Sequence, residues 1–220
     1  MKTNINPAIL ILSSVICLLP VILALVVYDD LPERIPMQWN LEGNPNWYAH
    51  KAVGAFGLPL FLMALNIFSR MVIHNDPKKE NASKVMRLFA EWIVPVISLM
   101  VVPIILFMGI GKTIPVKMIV FIFIGIVFII LGNYMPKSRQ NYTMGFRLPW
   151  TLNDPENWNK THRLAGYLWI MSGILFIVIA FLSLENAVGL VIIFIVLLTL
   201  VLAPSLYSYR LYKKEKGVNV

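Results

Sequence analysis

The sequence predicts an all-α integral membrane protein with six transmembrane helices. Hydrophobic residues make up 58% of the 220 and charged residues only 14%, well below the roughly one quarter charged that soluble domains carry. The apolar residues fall into six runs free of Asp, Glu, Lys and Arg, each of about 17–21 residues. A helix needs roughly 20 residues to cross ~30 Å of hydrocarbon. Period-2 alternation is absent from these runs, which argues against a transmembrane barrel. Helices keep their backbone hydrogen bonds internal, as lipid requires.

The runs are Ala8–Tyr28, Val53–Ser69, Trp92–Gly111, Met118–Met135, Ala165–Leu184 and Ala187–Tyr207. The first lacks a small-x-small cleavage site and is expected to remain as a span. The second is the shortest, so Arg70 at its end is expected to snorkel toward the headgroups. Lys112–Lys117 and Glu185–Asn186 are read as tight turns. Gly125 and Gly132 on span four share a spacing of seven with Gly166, Gly173 and Ala180 on span five. That spacing puts each set on one helix face and admits close backbone approach. Pro20, Pro59, Pro95, Pro103 and Pro204 each bend a helix or sit in its first turn.

Charge sets the expected orientation. Cytoplasmic N- and C-termini leave only Arg34, Lys51, Lys112 and Lys117 of the 19 basic residues outside, as the positive-inside rule favours. The net charge of +8 then reflects topology, and direct nucleic-acid binding is not expected. The sequence divides into a two-span domain, 1–75, with an outer loop at 29–52, and a four-span domain, 76–220, with an inner loop at 136–164.

In the outer loop Ile35, Met37, Trp39 and Leu41 alternate with Pro36, Gln38, Asn40 and Glu42, the pattern of an extended segment with one apolar face. Gly43 and Pro45 supply a turn, so a short hairpin at the membrane surface is expected. Trp39, Trp47 and Tyr48 suit the headgroup region, either as anchors or as part of a ligand site.

The inner stretch NYTMGFRLPWTLNDPENWNKTHRLAG, Asn141 to Gly166, holds more side-chain chemistry than a connector needs. Gly145 permits a turn, and Arg147-Leu148-Pro149-Trp150 is read as extended because the residue before proline avoids the helical region. Asn153 or Asp154 caps a helix starting at Pro155. That helix carries Trp158, His162 and Ala165 on one face and leads into span five. Two uses compete: the tryptophans and arginines serve as interface anchors and lipid-phosphate ligands, or Arg147, His162 and Arg163 form a docking surface for a cytoplasmic partner.

These two stretches carry a resemblance. Ile35-Pro36-Met37-Gln38-Trp39-Asn40-Leu41-Glu42-Gly43 resembles the motif of a small membrane domain of unknown function (DUF1648-like), with Gln38 where histidine is usual. Asn141…Gly145-Phe146-Arg147-Leu148-Pro149-Trp150-Thr151-Leu152, followed by Trp158-Asn159-Lys160-Thr161-His162-Arg163, resembles the signature of the SdpI-like immunity proteins. The resemblance implies a bacterial plasma-membrane protein that protects against a secreted, membrane-active peptide toxin. It implies as partners that toxin and, in signalling members, a small DNA-binding autorepressor held at the membrane; membrane lipid is expected as a partner from the spans and their interface residues instead. Carried onto this chain, it places partner docking at Asn141, Gly145, Arg147, Pro149, Trp150, Thr151, Trp158, Thr161, His162 and Arg163. It places toxin contact at Pro36, Trp39, Asn40, Gly43 and Tyr48.

An enzyme is the weakest alternative: with His50 outside and His74 and His162 inside, no three histidines meet, and HExxH, GxSxG and CxxC patterns are absent. No cofactor or metal is expected. A transporter of an apolar peptide or small molecule is the stronger alternative. Coupled carriers bury ionisable groups in their spans, and here the clearest buried polar side chain is Asn66, with Arg70 expected at a membrane edge.

Overall fold

A computed structural model describes residues 6–40, 44–182 and 186–217. Six helices are long and apolar enough to cross a membrane: Pro7–Asp30, Val53–Asn75, Lys84–Gly109, Val116–Lys137, Pro155–Phe181 and Val188–Glu215. Each matches one expected run, yet most overrun it, because backbone hydrogen bonding does not stop where the apolar residues do. The turn expected at Glu185 lies outside the described residues. Side chains such as Val26, Met171 and Phe194 are 75%, 66% and 64% exposed, as helices do when their outer faces meet lipid rather than water.

The first span is two helices, α1 (Pro7–Leu18) and α2 (Pro20–Val27). The break falls at Pro20, which has no N–H to continue the ladder. A hairpin of β1 (Arg34–Trp39) and β2 (Pro45–His50) follows. A π-helical turn at Val53–Gly57 leads into α3 (Leu58–Asn75), and then come α4 (Lys84–Gly109) and α5 (Val116–Tyr134). The chain finishes with α6 (Pro149–Asn153), α7 (Pro155–Phe181) and α8 (Asn186–Glu215). Gly111 closes α4 at φ +82° while Lys112 N–H donates to Phe107 O at 2.9 Å, the left-handed cap that ends many helices.

The chain folds as two compact units, Met1–Asn75 with Leu88–Val116, and Asp76–Arg87 with Lys117–Val220. The apolar length of the third span therefore packs with the first two, whereas the sequence suggested a division after residue 75. In the first unit Cys17, Ala24, Ile35, Ala55, Leu62, Val102 and Leu106 form the core. Polar bonds cross it: Asn66 Nδ2 donates to Ser13 Oγ at 2.9 Å, and Ser98 Oγ donates to the Cys17 carbonyl at 2.7 Å.

Arg70 departs from expectation. It is 1% exposed, does not snorkel, and pairs through Nη1 with Glu91 Oε2 at 3.5 Å. Its Nη2 donates to the Glu91 carbonyl at 3.1 Å, and His74 Nε2 lies 3.4 Å from Glu91 Oε1. The reason is that α4 begins at Lys84, about one third of its length before the apolar run, and so brings Glu91 beside α3. Taking a guanidinium out of water is costly, and such a partner offsets part of that cost.

In the second unit α5 and α7 touch backbone to backbone. A Cβ on Gly132 would stand 2.6 Å from Gly166 O, and one on Gly173 would stand 2.6 Å from Gly125 O. Phe128 against Trp169 (4.9 Å between centroids) and Phe121 against Phe176 (5.5 Å) fill the flanks. Without a hydrophobic drive between helices in lipid, such close approach supplies the packing energy. Gly132→Leu or Gly173→Leu is expected to cost at least ~1–3 kcal/mol from overpacking. Gly189→Ala, with nothing within 4 Å of its added carbon, is expected to cost nothing and to gain up to ~1 kcal/mol of helix propensity. Thermal unfolding in detergent checks both.

Candidate functional site

Two surfaces gather the residues that the sequence singled out, one in each unit. In the first unit the hairpin pairs Arg34 with His50, Ile35 with Ala49 and Pro36 with Tyr48, with irregular register at Gln38. Ile35 is fully buried, and room for it comes from two glycines. A Cβ on Gly54 would stand 2.6 Å from the Ile35 side chain, and one on Gly109 would stand 3.0 Å from it. Lys51 ties the hairpin base down, donating to the Tyr28 and Leu31 carbonyls at 3.3 Å each while its Nζ sits 4.6 Å from the centre of the Tyr28 ring. Met37 and Trp39 are half-buried against the core, as the alternation predicts, but Pro36 is buried too. Asn40 and Tyr48 are exposed, with Trp47 beside Tyr48 at 53% exposure. Gly43, with Leu41 and Glu42, lies outside the described residues.

In the second unit the 136–154 loop is built around the first turns of α7. Asp154 caps that helix, accepting from Glu156 N and Asn157 N at 2.8 and 3.0 Å, and Pro155 takes the first position, where an N–H is not needed. Trp158 and His162, one turn apart on the inward face, stack with ring centroids 3.9 Å apart. Trp158 Nε1 donates to Ser138 O at 2.8 Å. His162 Nε2 lies 3.0 Å from Phe146 N, and Nδ1 lies 2.8 Å from the Trp158 carbonyl. A backbone N–H only donates, so Nε2 accepts and the ring is neutral with its proton on Nδ1. Gly145, at φ +94°, has no room for a side chain because a Cβ would collide with His162 Nε2.

Upstream, Asn141 is fully buried and folds an Asx turn, accepting from Thr143 N at 3.1 Å and Met144 N at 2.7 Å. Thr151 Oγ1 accepts from Leu148 N at 2.9 Å and donates to Phe146 O at 2.6 Å. Leu148 is extended, but Pro149 opens the short helix α6, so Trp150 is helical and not part of an extended limb. Only the residue before a proline is forced out of the helical region; the proline itself suits a first turn.

The ten docking candidates therefore separate by burial. Asn141, Thr151, Trp158, Thr161 and His162 are at most 1% exposed and hold the loop together. His162, expected on a surface with Arg147 and Arg163, faces inward because both ring nitrogens bond to backbone. Gly145, Arg147, Pro149 and Arg163 are exposed. Trp150 is half-buried, 5.7 Å from Tyr212 and 5.4 Å from Tyr209 between ring centroids. With Pro149, Asn153, Asp154, Tyr212, Glu215 and Lys216 it lines an open groove of about 400 Å³.

Several residues that build this site were not singled out from the sequence. Asp76 accepts from Lys78 N at 2.7 Å, from Tyr142 N at 2.9 Å and from the Thr143 hydroxyl. Asn81 Nδ2 donates to Gln140 O at 2.7 Å, and Ser83 N donates to Ser138 Oγ at 3.0 Å. Asn157 donates to Ser208 O at 2.9 Å and accepts from Ser208 Oγ at 2.6 Å, locking α7 to α8. The segment 76–83 and the 136–154 loop thus form one platform.

His162→Ala leaves the partly buried Phe146 N–H without its acceptor, a loss of about 1–3 kcal/mol. Gly145→Ala strains both φ and the imidazole. Each is expected to speed amide exchange across residues 138–152 while helices α5 and α7 stay protected, which hydrogen-exchange mass spectrometry reads directly.

Comparison with known proteins places this geometry. The model of the SdpI/YfhL protein family matches residues 137–208, and that of a domain of unknown function (DUF1648) matches residues 15–63. The chain is similar to the immunity protein SdpI of Bacillus subtilis (strain 168), 30% identical over 212 residues that cover 94% of this chain and 97% of the relative. No solved structure matches it. With six membrane-crossing helices, the paired hairpin and the loop built on His162, the chain is a multi-pass plasma-membrane protein that belongs to the SdpI family.

Proposed function

We propose that this chain is a bacterial immunity protein that protects its cell against a secreted, membrane-active peptide toxin by binding the peptide. The observation that carries this reading is the relationship to a protein named for immunity along nearly the whole chain. In this reading both termini are cytoplasmic, which puts the basic loops inside and the hairpin outside. The hairpin then offers Trp47 and Tyr48, 53% and 46% exposed, to a peptide arriving in the outer leaflet. Its buried half, Ile35 and Pro36, keeps those rings on a fixed base.

The inner platform has the matching job of holding a small autorepressor while toxin is bound. The groove beside Trp150 is the contact site in this reading, because it is an open concavity lined by Pro149, Trp150, Asn153, Tyr212 and Lys216 on that platform. Toxin and repressor binding then favour the same state of the protein, as reciprocal coupling requires. In a toxin-challenge assay at equal expression, Trp47→Ala with Tyr48→Ala is expected to lower tolerance at least tenfold, equivalent to ~1.4 kcal/mol of binding. Trp150→Ala is expected to keep tolerance but release the repressor from the membrane fraction. Full tolerance in the hairpin variant would remove the hairpin from toxin binding.

A second reading, export of an apolar peptide or small molecule, is favoured by the Arg70–Glu91–His74 cluster inside the spans, since ionisable groups buried there commonly mark a transport path. Labelled toxin loaded into vesicles separates the two. Sequestration gives saturable binding with no net movement. Net movement against the gradient, lost in Glu91→Gln, would establish export instead.

A further inference from the structure

Tyr142, absent from the sequence-derived candidates, is 47% exposed and gathers two cations. Lys78 Nζ stands 5.0 Å from its ring centroid, and Arg147 Nη1 donates to its carbonyl at 2.8 Å. The main chain at Lys78 and at Tyr142 is fixed by one carboxylate. Asp76 binds Lys78 N through one carboxylate oxygen and Tyr142 N through the other. That one bond from Nη1 leaves most of the five guanidinium donors of Arg147 open.

Nearby acids are already engaged. Asp76 is spent on backbone and the Thr143 hydroxyl, Glu80 pairs with Arg87, Asp154 caps α7 and Glu156 pairs with Lys160. Among the described residues Lys78, Arg139 and Arg147 have no ion-pair partner. Asp76 keeps its own negative charge beside them, because bonds from neutral N–H groups do not cancel it, and the two cations Lys78 and Arg147 outweigh that one carboxylate, so the patch is net positive.

Its depth follows from α7. That helix has 27 residues, about 40 Å at 1.5 Å per residue, some 10 Å longer than the hydrocarbon is thick. The excess is the polar first third, and the uncharged run starts at Leu164, two residues after His162. Because Phe146 N is bonded to His162 at 3.0 Å, Arg147 is held at the level where headgroups meet hydrocarbon. At this level anionic lipid headgroups are the phosphates at highest local concentration. We propose that Arg147 and Lys78, brought together on Tyr142, form a binding site for the phosphate of an anionic lipid headgroup. The fork of Arg147 suits two phosphate oxygens, and Lys78 adds a second charge. The inference does not depend on toxin binding or on which face of the membrane the platform occupies.

The test uses the full chain in nanodiscs of phosphatidylcholine with a minority of phosphatidylglycerol, reading retained lipid by native mass spectrometry. Phosphatidylglycerol is expected to be retained in preference to phosphatidylcholine. Arg147→Gln with Lys78→Gln is expected to weaken that preference ~25-fold, about fivefold per cation. Equal retention of the two lipids by the parent overturns the proposal, and this arm needs no variant to fold. Unchanged preference in a folded double variant overturns it as well. Displacement by inorganic phosphate as effective as that by phosphatidylglycerol would assign the site to soluble phosphate, and a double variant that keeps its lipid but loses a cytoplasmic protein would assign it to docking; either sinks the lipid reading.

Discussion

The loop that carries the family signature depends on one neutral imidazole. His162 spends its acceptor on Phe146 N–H and its donor on the Trp158 carbonyl, so a single ring joins the chain before α6 to the first turns of α7. The rest follows from fitting that ring. Gly145 must lack a side chain, Trp158 must stack against the imidazole, and Trp158 in turn reaches Ser138. A glutamine could supply the acceptor but would not present a flat face to Trp158. Satisfied on both nitrogens and almost wholly buried, the ring stabilises this arrangement; half satisfied, it would cost more than an apolar side chain in its place.

The spans solve a different problem. Lipid tails are as apolar as leucine, so burying leucine between helices gains little. The second unit answers with glycine, letting each carbonyl of α5 or α7 lie where a Cβ of the other helix would otherwise stand. The first unit answers with polar bonds, Asn66 to Ser13 and Arg70 to Glu91. Its ion pair is long at 3.5 Å, and replacing Glu91 would leave a guanidinium stranded in a medium that solvates it poorly.

What could be read from the sequence tracks what is local. Six spans, the glycine faces, the cap at Asp154, the helix from Pro155 and the apolar edge of β1 all rest on periodicity or on neighbours within a turn, and those are visible in a string of residues. What could not be read is pairing over long separations. Asp76 serves Tyr142 and Thr143 more than sixty positions away, and Asn157 meets Ser208 fifty-one positions on. Arg70 was misplaced for the same reason: the apolar run of span three starts at Trp92, so Glu91 looked like a flanking residue, while helix α4 had already begun seven residues earlier.

Burial also bears on what a family relationship transmits. The matched region 137–208 contains Trp158, Thr161 and His162, side chains that touch no solvent and so touch no partner in this conformation. Sharing them means sharing the way the loop folds. Of the residues the sequence singled out, those left to meet another molecule are Gly145, Arg147, Pro149, Trp150 and Arg163 on the platform, with Asn40, Trp47 and Tyr48 on the hairpin. Two chains can therefore share the signature and its architecture while differing in what they bind, because the signature fixes a rigid mount and the exposed side chains on it choose the ligand. Specificity, on this argument, is set by exchanging side chains at those positions rather than at the buried histidine.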